Sequence, residues 1–130
     1  MSEIEHAYAA EAEARWGHTD AHRESSRRAK SYSKADRDEI RAELEDIERA
    51  FADALSAGTP PDGERATDVA EEARLHIDRW YYPCSRDMHA ALAEMYTADE
   101  RFRAHYDDRV DGLAAYVSEA IRANRERRGD

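Results

Sequence analysis

The chain is organised around residues 76–89, HIDRWYYPCSRDMH, with an extension through Leu92 to Met95 and Tyr96. This stretch holds four of the nine Trp and Tyr residues, the only Cys and two of the three Met. Pro83 cannot continue a helix, because proline lacks an N–H and its ring clashes with the preceding turn. The pattern therefore predicts a helix, a sharp break and a second helix, with aromatic residues at the break. Such a corner is either ordinary core or one wall of a pocket, and the pattern alone favours core.

The composition of the 130 residues indicates one domain whose core is poor in large aliphatic side chains. Ile, Leu, Val and Phe total 15 residues, so Trp and Tyr are expected to supply much of the core. The net charge of -10 argues against a nucleic-acid surface, which needs clustered Lys and Arg. One Cys excludes an internal disulfide and fits a reducing, cytoplasmic setting. No apolar run approaches the roughly 20 residues that span a bilayer.

Apolar spacing predicts an all-helical chain, strongest from residue 35 onward. Residues 1–34 have little to bury, so we expect them to be the least stable part, ahead of a helical core over 35–126. Weak helices are predicted over 4–16 and 19–30. Ser33 and Asp36 predict a capping box at the start of the next helix. The apolar stripe of that helix has spacings of 4, 3, 4 and 4: Ile40, Leu44, Ile47, Phe51 and Leu55.

The second half of the chain predicts four further helices. One runs over 67–81, and Ser85 begins another after the break at Pro83. A short helix follows over 99–107. Asp111 is predicted to cap the last helix, and the polar tail over 125–130 is expected to fray. The buried side of the last helix is predicted to consist of Leu113, Tyr116, Val117, Ala120, Ile121 and Asn124.

No pattern of catalytic or metal-binding residues stands out. The spacing of His76, Cys84 and His89 matches no established ligand motif, so neither a metal nor another cofactor is expected. A Cys84–His89 nucleophilic pair lacks an evident orienting group and oxyanion hole, so the chain is not predicted to be an enzyme. His76 lies on an apolar helix face, where a histidine is more often a core residue than a ligand contact. The aromatic and methionine cluster would suit a flat, bulky guest or an ordinary core.

The sequence resembles the TipAS antibiotic-recognition domain over nearly its whole length. The matching motifs are specific when taken together: 15–21 (RWGHTDA), Ser25, Arg28, 31–33 (SYS), Asp36, 76–81 (HIDRWY), Cys84, 87–89 (DMH), 92–96 (LAEMY), 99–102 (DERF), 112–116 (GLAAY) and 120–124 (AIRAN).

This resemblance implies an all-helical, globin-like fold with a cleft for thiopeptide antibiotics such as thiostrepton, or for other bulky heterocyclic natural products. Family members often follow a MerR-type DNA-binding half and a coiled coil, but the domain also occurs alone as a drug-sequestering protein. In the thiopeptide-binding prototype of the family, the N-terminal part is flexible and folds over the ligand. This behaviour agrees with the weak core predicted for residues 1–34 of the present chain. This chain shows no basic helix-turn-helix segment, so it is not expected to regulate a promoter itself.

One position departs from the family pattern. The family prototype carries a second cysteine, seven residues after the one that matches Cys84, which captures a dehydroalanine of the antibiotic. Ala91 occupies that position here, so the resemblance implies reversible rather than covalent binding.

Together these arguments predict a non-enzymatic protein that sequesters bulky heterocyclic antibiotics, with no nucleic-acid or membrane partner. The alternative is a detached sensor domain that acts through a protein partner. A monomer is expected, with a dimer as the alternative. The predicted ligand-binding residues are Trp16, Tyr32, Phe51, His76, Trp80, Tyr81, Cys84, Met88, His89, Ala91, Leu92, Met95, Tyr96 and Tyr116.

Overall fold

A computed structural model describes residues 20–129, and all regular structure in this range is helical. The all-α class predicted from the sequence is therefore confirmed. The predicted helix over 4–16, and Trp16 with it, lie outside the described residues. Within the described range, no helix is both long and apolar enough to cross a bilayer. The helices are α1 (Asp20–Lys30), α2 (Lys34–Ser56), α3 (Glu64–Trp80), α4 (Arg86–Ala98), α5 (Glu100–Asp107) and α6 (Leu113–Arg128).

Helix α6 is the centre of the fold. It packs most extensively against α4 and also contacts α2, α3 and α5, whereas α1 packs against α3. Its predicted buried side is confirmed, from Leu113 at the first turn to Asn124 near the last. Helix α1 buries none of its residues, so its attachment depends on a few polar contacts.

The start of α2 follows its sequence signal. The Ser33 hydroxyl accepts a hydrogen bond from the Asp36 amide, and the Asp36 carboxylate accepts one from the Ser33 amide. This is the predicted capping box. Along the apolar stripe, Ile40, Ile47 and Phe51 are buried. The stripe therefore faces the core, as its spacing predicts.

The predicted break between α3 and α4 is confirmed. Helix α3 ends at Trp80, and Ser85 caps α4 by accepting a hydrogen bond from the Met88 amide at 3.1 Å. The Asp78 carboxylate accepts a hydrogen bond from the Cys84 amide at 2.9 Å, which closes the corner around Pro83. The side chains of Asp78 and Ser85 thus accept hydrogen bonds from backbone amides that have no partner in a continuous helix, because the helix is interrupted at Pro83.

The predicted start of α3 was wrong by three residues. The helix begins at Glu64, and Gly63 is its N-cap. Thr67, predicted as the first residue, is fully buried one turn inside, where its hydroxyl donates to the Gly63 carbonyl at 2.8 Å. A threonine can form this bond to the preceding turn within a helix, so it need not mark the helix start.

The predicted ends of α6 were also wrong. Gly112, not Asp111, is the N-cap residue, and its φ of 81° lies in the left-handed region that glycine tolerates. The first-turn amide of Ala114 donates to the Asp107 carboxylate at 2.9 Å, so the side-chain cap comes from the end of α5. At the other end the helix does not fray at 125 but continues to Arg128, whose guanidinium donates to the Thr67 carbonyl at 3.1 Å.

A part-buried polar cluster joins α3, α4 and α6. Glu71 accepts paired hydrogen bonds from Arg74 and from Arg86, and a further bond from the Asn124 amide at 3.0 Å. These bonds, that from Arg74 above all, hold the pKa of Glu71 far below its ordinary value. Arg128 donates to the Asn124 side chain and extends the cluster to the end of α6. We refer to these five residues as the Glu71 network.

Candidate functional site

The candidate site is an open-mouthed cavity of about 90 Å³ formed by residues of α2, α3, α4, α5 and α6 and by Tyr81 after α3. Most of its wall is apolar or aromatic. The polar groups are two histidines, one glutamate and three tyrosine hydroxyls, a combination typical of small-molecule sites. The lining residues are Leu44, Ile47, Glu48, Phe51, Ala73, His76, Ile77, Tyr81, His89, Tyr96, Phe102, Tyr106, Val117 and Ile121.

His76 is held in place by a carboxylate on the neighbouring helix. Its Nδ1 lies 2.6 Å from Oε1 of Glu43, which also accepts a hydrogen bond from the Trp80 indole at 3.2 Å. Burial raises the pKa of Glu43, but the hydrogen bond and the charge of His76, the hydrogen bond from Trp80 and the charge of Arg79 together outweigh this effect and leave the pKa below its ordinary value. An ionised carboxylate only accepts hydrogen bonds, so Nδ1 of His76 carries the proton of this contact.

The other ring nitrogen of His76 is the unusual feature. Nε2 is buried and has no hydrogen-bond partner among residues 20–129, although the His76 side chain is only 3% exposed. A buried polar atom without a partner is uncommon, because it loses its bond to water without a replacement. Other atoms of the His76 side chain line the cavity, whereas this nitrogen is covered by the surrounding protein.

His89 presents a second unpartnered nitrogen at the same cavity, from α4. The residue is 1% exposed, and its Nδ1 has no hydrogen-bond partner in the described part of the chain. Burial above all, with a smaller contribution from the charge of Arg74, lowers the pKa of His89 to about 4. His89 is therefore neutral near pH 7.

The carboxylate of Glu48 and the aromatic rings of the cavity contact neighbouring protein side chains. Both carboxylate oxygens of Glu48 lie 3.0 Å from Nε2 of His105. The Tyr96 ring packs on Tyr106, with centroids 5.5 Å apart, and on Phe102 at 5.8 Å. Burial raises the pKa of Tyr96 and of Tyr106 well above the ordinary value, so both remain neutral.

Only part of the predicted ligand-binding set lies on the cavity. Five of its members line it: Phe51, His76, Tyr81, His89 and Tyr96. Trp80 and Tyr32 lie beside it, since Trp80 donates to Glu43 and packs edge-on against Tyr32, with centroids 5.6 Å apart.

The remaining described members of the set lie elsewhere. Cys84, Leu92, Met95 and Tyr116 are buried in the core but do not line the cavity, Met88 is half-buried, and Ala91 is exposed. The role of these residues in binding stays a prediction, as does that of Trp16.

The set predicted from the sequence omits Glu43 and Glu48, because charged residues beside an apolar helical stripe usually face solvent. Glu48 is 5% exposed. The sequence does indicate that Glu48 is buried. Glu48 lies four residues after Leu44 and three before Phe51, and this spacing places Glu48 on the apolar face of the helix. No comparable signal marks Glu43, whose partner His76 is 33 residues away in the sequence.

Cys84 has little nucleophilic character. Its thiol is buried, and its Sγ–H points to the Ser85 carbonyl at 3.6 Å. Burial raises the pKa of the Cys84 thiol to about 12, so the reactive thiolate is scarce at neutral pH. Among residues 20–129, no group of three or more His, Cys, Asp or Glu side chains is placed to hold a metal ion.

The helical layers and the partly polar internal cavity define an all-α ligand-recognition domain. Comparison with known proteins specifies it further. The model of the TipAS antibiotic-recognition domain matches residues 8–124, and the chain belongs to this family.

Two relatives and two solved structures illustrate the similarity. The chain is 44% identical over 117 residues to the HTH-type transcriptional activator TipA of Streptomyces coelicolor, covering 90% of this chain and 46% of TipA. It is 35% identical over 98 residues to the activator mta of Bacillus subtilis, covering 75% of this chain and 37% of mta. The chain thus spans about half the length of TipA and a smaller share of the length of mta.

Among solved structures, TipAS of Streptomyces lividans in complex with nosiheptide superposes with a TM-score of 0.85 and 42% identity, covering 96% of this chain and 87% of that chain. The antibiotic-binding domain of a TipA-class multidrug resistance transcriptional regulator superposes with a TM-score of 0.64 and 43% identity, covering 70% and 97% respectively.

Proposed function

We propose that this chain binds bulky, ring-rich antibiotics of the thiopeptide class and sequesters them without chemical change. The observation that carries the proposal is the cavity beneath the 76–96 stretch, in a chain that aligns over 96% of its length with nosiheptide-bound TipAS. We further infer that it acts in the cytoplasm as a monomer and does not contact nucleic acid. The alternative is a sensor domain that acts through a protein partner. The two similar solved structures are described by the antibiotics they bind, so they favour antibiotic binding over this alternative.

The size of the cavity indicates how such a ligand would bind. At about 90 Å³, it is smaller than the roughly 150 Å³ cavity that encloses one benzene molecule. A thiopeptide is many times larger than benzene. We therefore propose that one ring or side group of the ligand enters the cavity, while the remainder lies across its mouth beside Trp80 and Tyr81.

Helix α1 is suited to cover that outer part. It buries none of its own residues, and Arg28 and Tyr32 attach it to the end of α3. Arg28 donates to the Asp78 carbonyl at 2.7 Å, and the Tyr32 hydroxyl donates to the Trp80 carbonyl at 2.5 Å. We propose that residues 1–34 pack over the ligand. Because ordering each residue costs about 1–2 kcal/mol in backbone entropy, such a segment requires a ligand with an extensive surface.

Binding without turnover agrees with the chemistry of the site. Glu43 and His76 form an oriented carboxylate–imidazole pair, which in an enzyme could activate a nucleophile. No Ser, Thr or Cys is among the described residues that line the cavity, and the Cys84 thiol is buried and protonated. A pair without a nucleophile orients and hydrogen-bonds a ligand, which is sufficient for sequestration.

Thermal unfolding with thiostrepton and nosiheptide tests the proposal. A ligand that binds only the folded state stabilises it by about 2.7 kcal/mol at 100 times its Kd, so the melting temperature should rise. Tyr81→Ala, at the cavity, should weaken binding about tenfold. Leu75→Ala is the matched control on exposed α3 surface and should leave binding unchanged. If neither antibiotic raises the melting temperature, the thiopeptide assignment is wrong.

Intact-protein mass spectrometry after incubation with the same antibiotics tests reversibility. The expected mass is that of the free chain, because Ala91 offers no thiol and the Cys84 thiol is buried. Cys84→Ser should retain the thermal shift. A stable adduct on Cys84, or a chemically altered antibiotic recovered from the mixture, would contradict reversible sequestration.

A further inference from the structure

We propose that the hydroxyl groups of Tyr96 and Tyr106 form a polar subsite at the cavity, which recognises an uncharged hydrogen-bond acceptor such as a ring nitrogen or a carbonyl oxygen. The inference rests on the proposed function and specifies a polar feature of the part of the ligand that enters the cavity. It starts from two tyrosines on different helices, α4 and α5. Their rings pack together with centroids 5.5 Å apart, and both residues line the cavity.

Both hydroxyls are available to a guest, because neither forms a hydrogen bond with an atom of residues 20–129. In this range, the side-chain polar atoms that are both covered by protein and unpartnered are Nε2 of His76, Nδ1 of His89 and the Ser118 hydroxyl. The two phenols are not among them, so each phenol oxygen keeps accessible surface. Tyr96 is otherwise buried, so its accessible part is the part that faces the cavity.

The two hydroxyls act as hydrogen-bond donors. Burial above all raises the pKa of both phenols well above the ordinary value, and the charge of Glu48 adds to the effect. Each oxygen therefore keeps its proton at neutral pH, and that proton has no acceptor within the described part of the chain. A guest that carries only donors leaves both protons unpaired, whereas a guest with an acceptor pairs at least one of them.

Glu48 determines which charge the guest can carry. Both of its carboxylate oxygens lie 3.0 Å from Nε2 of His105, and Oε1 lies 3.6 Å from the Arg109 guanidinium, so the carboxylate is held in place. Glu48 lines the cavity, whereas these two partners do not. Its negative charge therefore disfavours an anionic acceptor such as a carboxylate. The ring surfaces of Phe51 and Phe102 favour a flat guest.

The test uses three five-membered rings of nearly the same shape: thiazole carries a ring-nitrogen acceptor, pyrrole an N–H donor, and thiophene neither. Affinities for the full chain are measured by NMR titration near neutral pH. Thiazole should bind about fivefold more tightly than thiophene, the contribution of one net hydrogen bond, and pyrrole should show no such gain. With ¹³C at the tyrosine Cζ atoms, thiazole should shift the Tyr96 and Tyr106 resonances. The Tyr116 resonance should not move, because its hydroxyl already donates to the Thr59 carbonyl at 2.9 Å.

Tyrosine-to-phenylalanine variants separate recognition from packing, because each removes one oxygen and keeps the ring. Tyr96→Phe and Tyr106→Phe should each reduce the preference for thiazole over thiophene, and the double variant should abolish it. The affinity for thiophene should stay the same, and the melting temperature should not fall, because neither hydroxyl bonds to the described protein. Leu75→Ala, on exposed α3 surface, should retain the preference. A parallel loss of thiophene affinity would instead indicate a packing role and contradict the subsite.

Equal affinities for thiazole and thiophene, or no binding of either, would overturn the subsite. Pyrrole or acetate that binds as tightly as thiazole would also overturn it. The result is separate from the thiostrepton experiment. Stabilisation by thiostrepton without a thiazole preference would refute the subsite alone. A thiazole preference without stabilisation by either antibiotic would refute the thiopeptide assignment and retain the subsite.

Discussion

The two buried polar regions of this domain differ in how fully their hydrogen-bonding groups are used. In the Glu71 network, one carboxylate accepts five hydrogen bonds from three side chains. At the cavity, His76 and His89 each leave a buried nitrogen without a partner in the described structure. Both regions use side chains of α3 and α4.

This difference indicates a division of roles. A fully paired buried cluster ties helices together, and removing one member leaves the others uncompensated. An unpaired buried nitrogen costs stability in the free protein, so the two cavity histidines do not serve the stability of the fold. We therefore expect the Glu71 network to determine stability and the cavity histidines to determine recognition.

The largest expected effect is from Glu71→Ala. It leaves Arg74 and Arg86 without their shared carboxylate, so the free energy of unfolding should fall by about 3–5 kcal/mol. The measurement is denaturant unfolding followed by circular dichroism. Glu72→Ala, at the adjacent exposed position, is the control and should change stability by less than about 0.5 kcal/mol. Equal effects of the two variants would abolish the proposed contrast between the two regions.

The second prediction concerns pH and His89. The folded state holds the pKa of His89 at about 4, against 6.5 as its ordinary value, because the ring is buried. Between these values the unfolded chain binds the proton and the folded chain does not, so stability falls as the pH falls. The loss attributable to His89 should approach about 3 kcal/mol by pH 4.

His89→Gln isolates that loss. Its stability should depend less on pH than that of the parent chain between about pH 6.5 and pH 4. The Glu71 contribution has a different window, because its pKa is depressed: it is present above about pH 4.3 and is lost only below that value. Parallel pH profiles for the parent chain and His89→Gln would show that His89 is not held neutral at the cavity.

Much of the helical framework could be predicted because its signals are local. The stripe that includes Ile47 and Phe51 identified the buried face of α2, and Pro83 with Ser85 located the α3–α4 corner. The errors occurred where distant groups decide a boundary. Asp107 caps α6 from the preceding helix, and Arg128 extends α6 by bonding to α3. Neither interaction has a signature in the adjacent residues.

The candidate site was predictable only in part, because periodicity identifies a buried face but not what the face contacts. His89 and Tyr96 of α4 line the cavity, whereas Leu92 and Met95 of the same helix are buried away from it. All four belong to the ligand-binding set predicted from the sequence. Distinguishing them requires the position of α6, against which α4 packs most extensively.

The smallest expected effect concerns the attachment of α1 to the rest of the domain, with Arg128 at the end of α6 as the comparison. Tyr32→Phe removes the bond to the Trp80 carbonyl, and α1 buries no residue, so only α1 should loosen. Hydrogen exchange of α1 amides should speed up by about three- to tenfold, with global stability changed by less than about 0.5 kcal/mol. Arg128→Ala should instead lower global stability by about 1–2 kcal/mol, because Arg128 belongs to the Glu71 network. If Tyr32→Phe destabilised the whole domain as much as Arg128→Ala, α1 would be an integral part of the core, and a role in packing over the ligand would lose its basis.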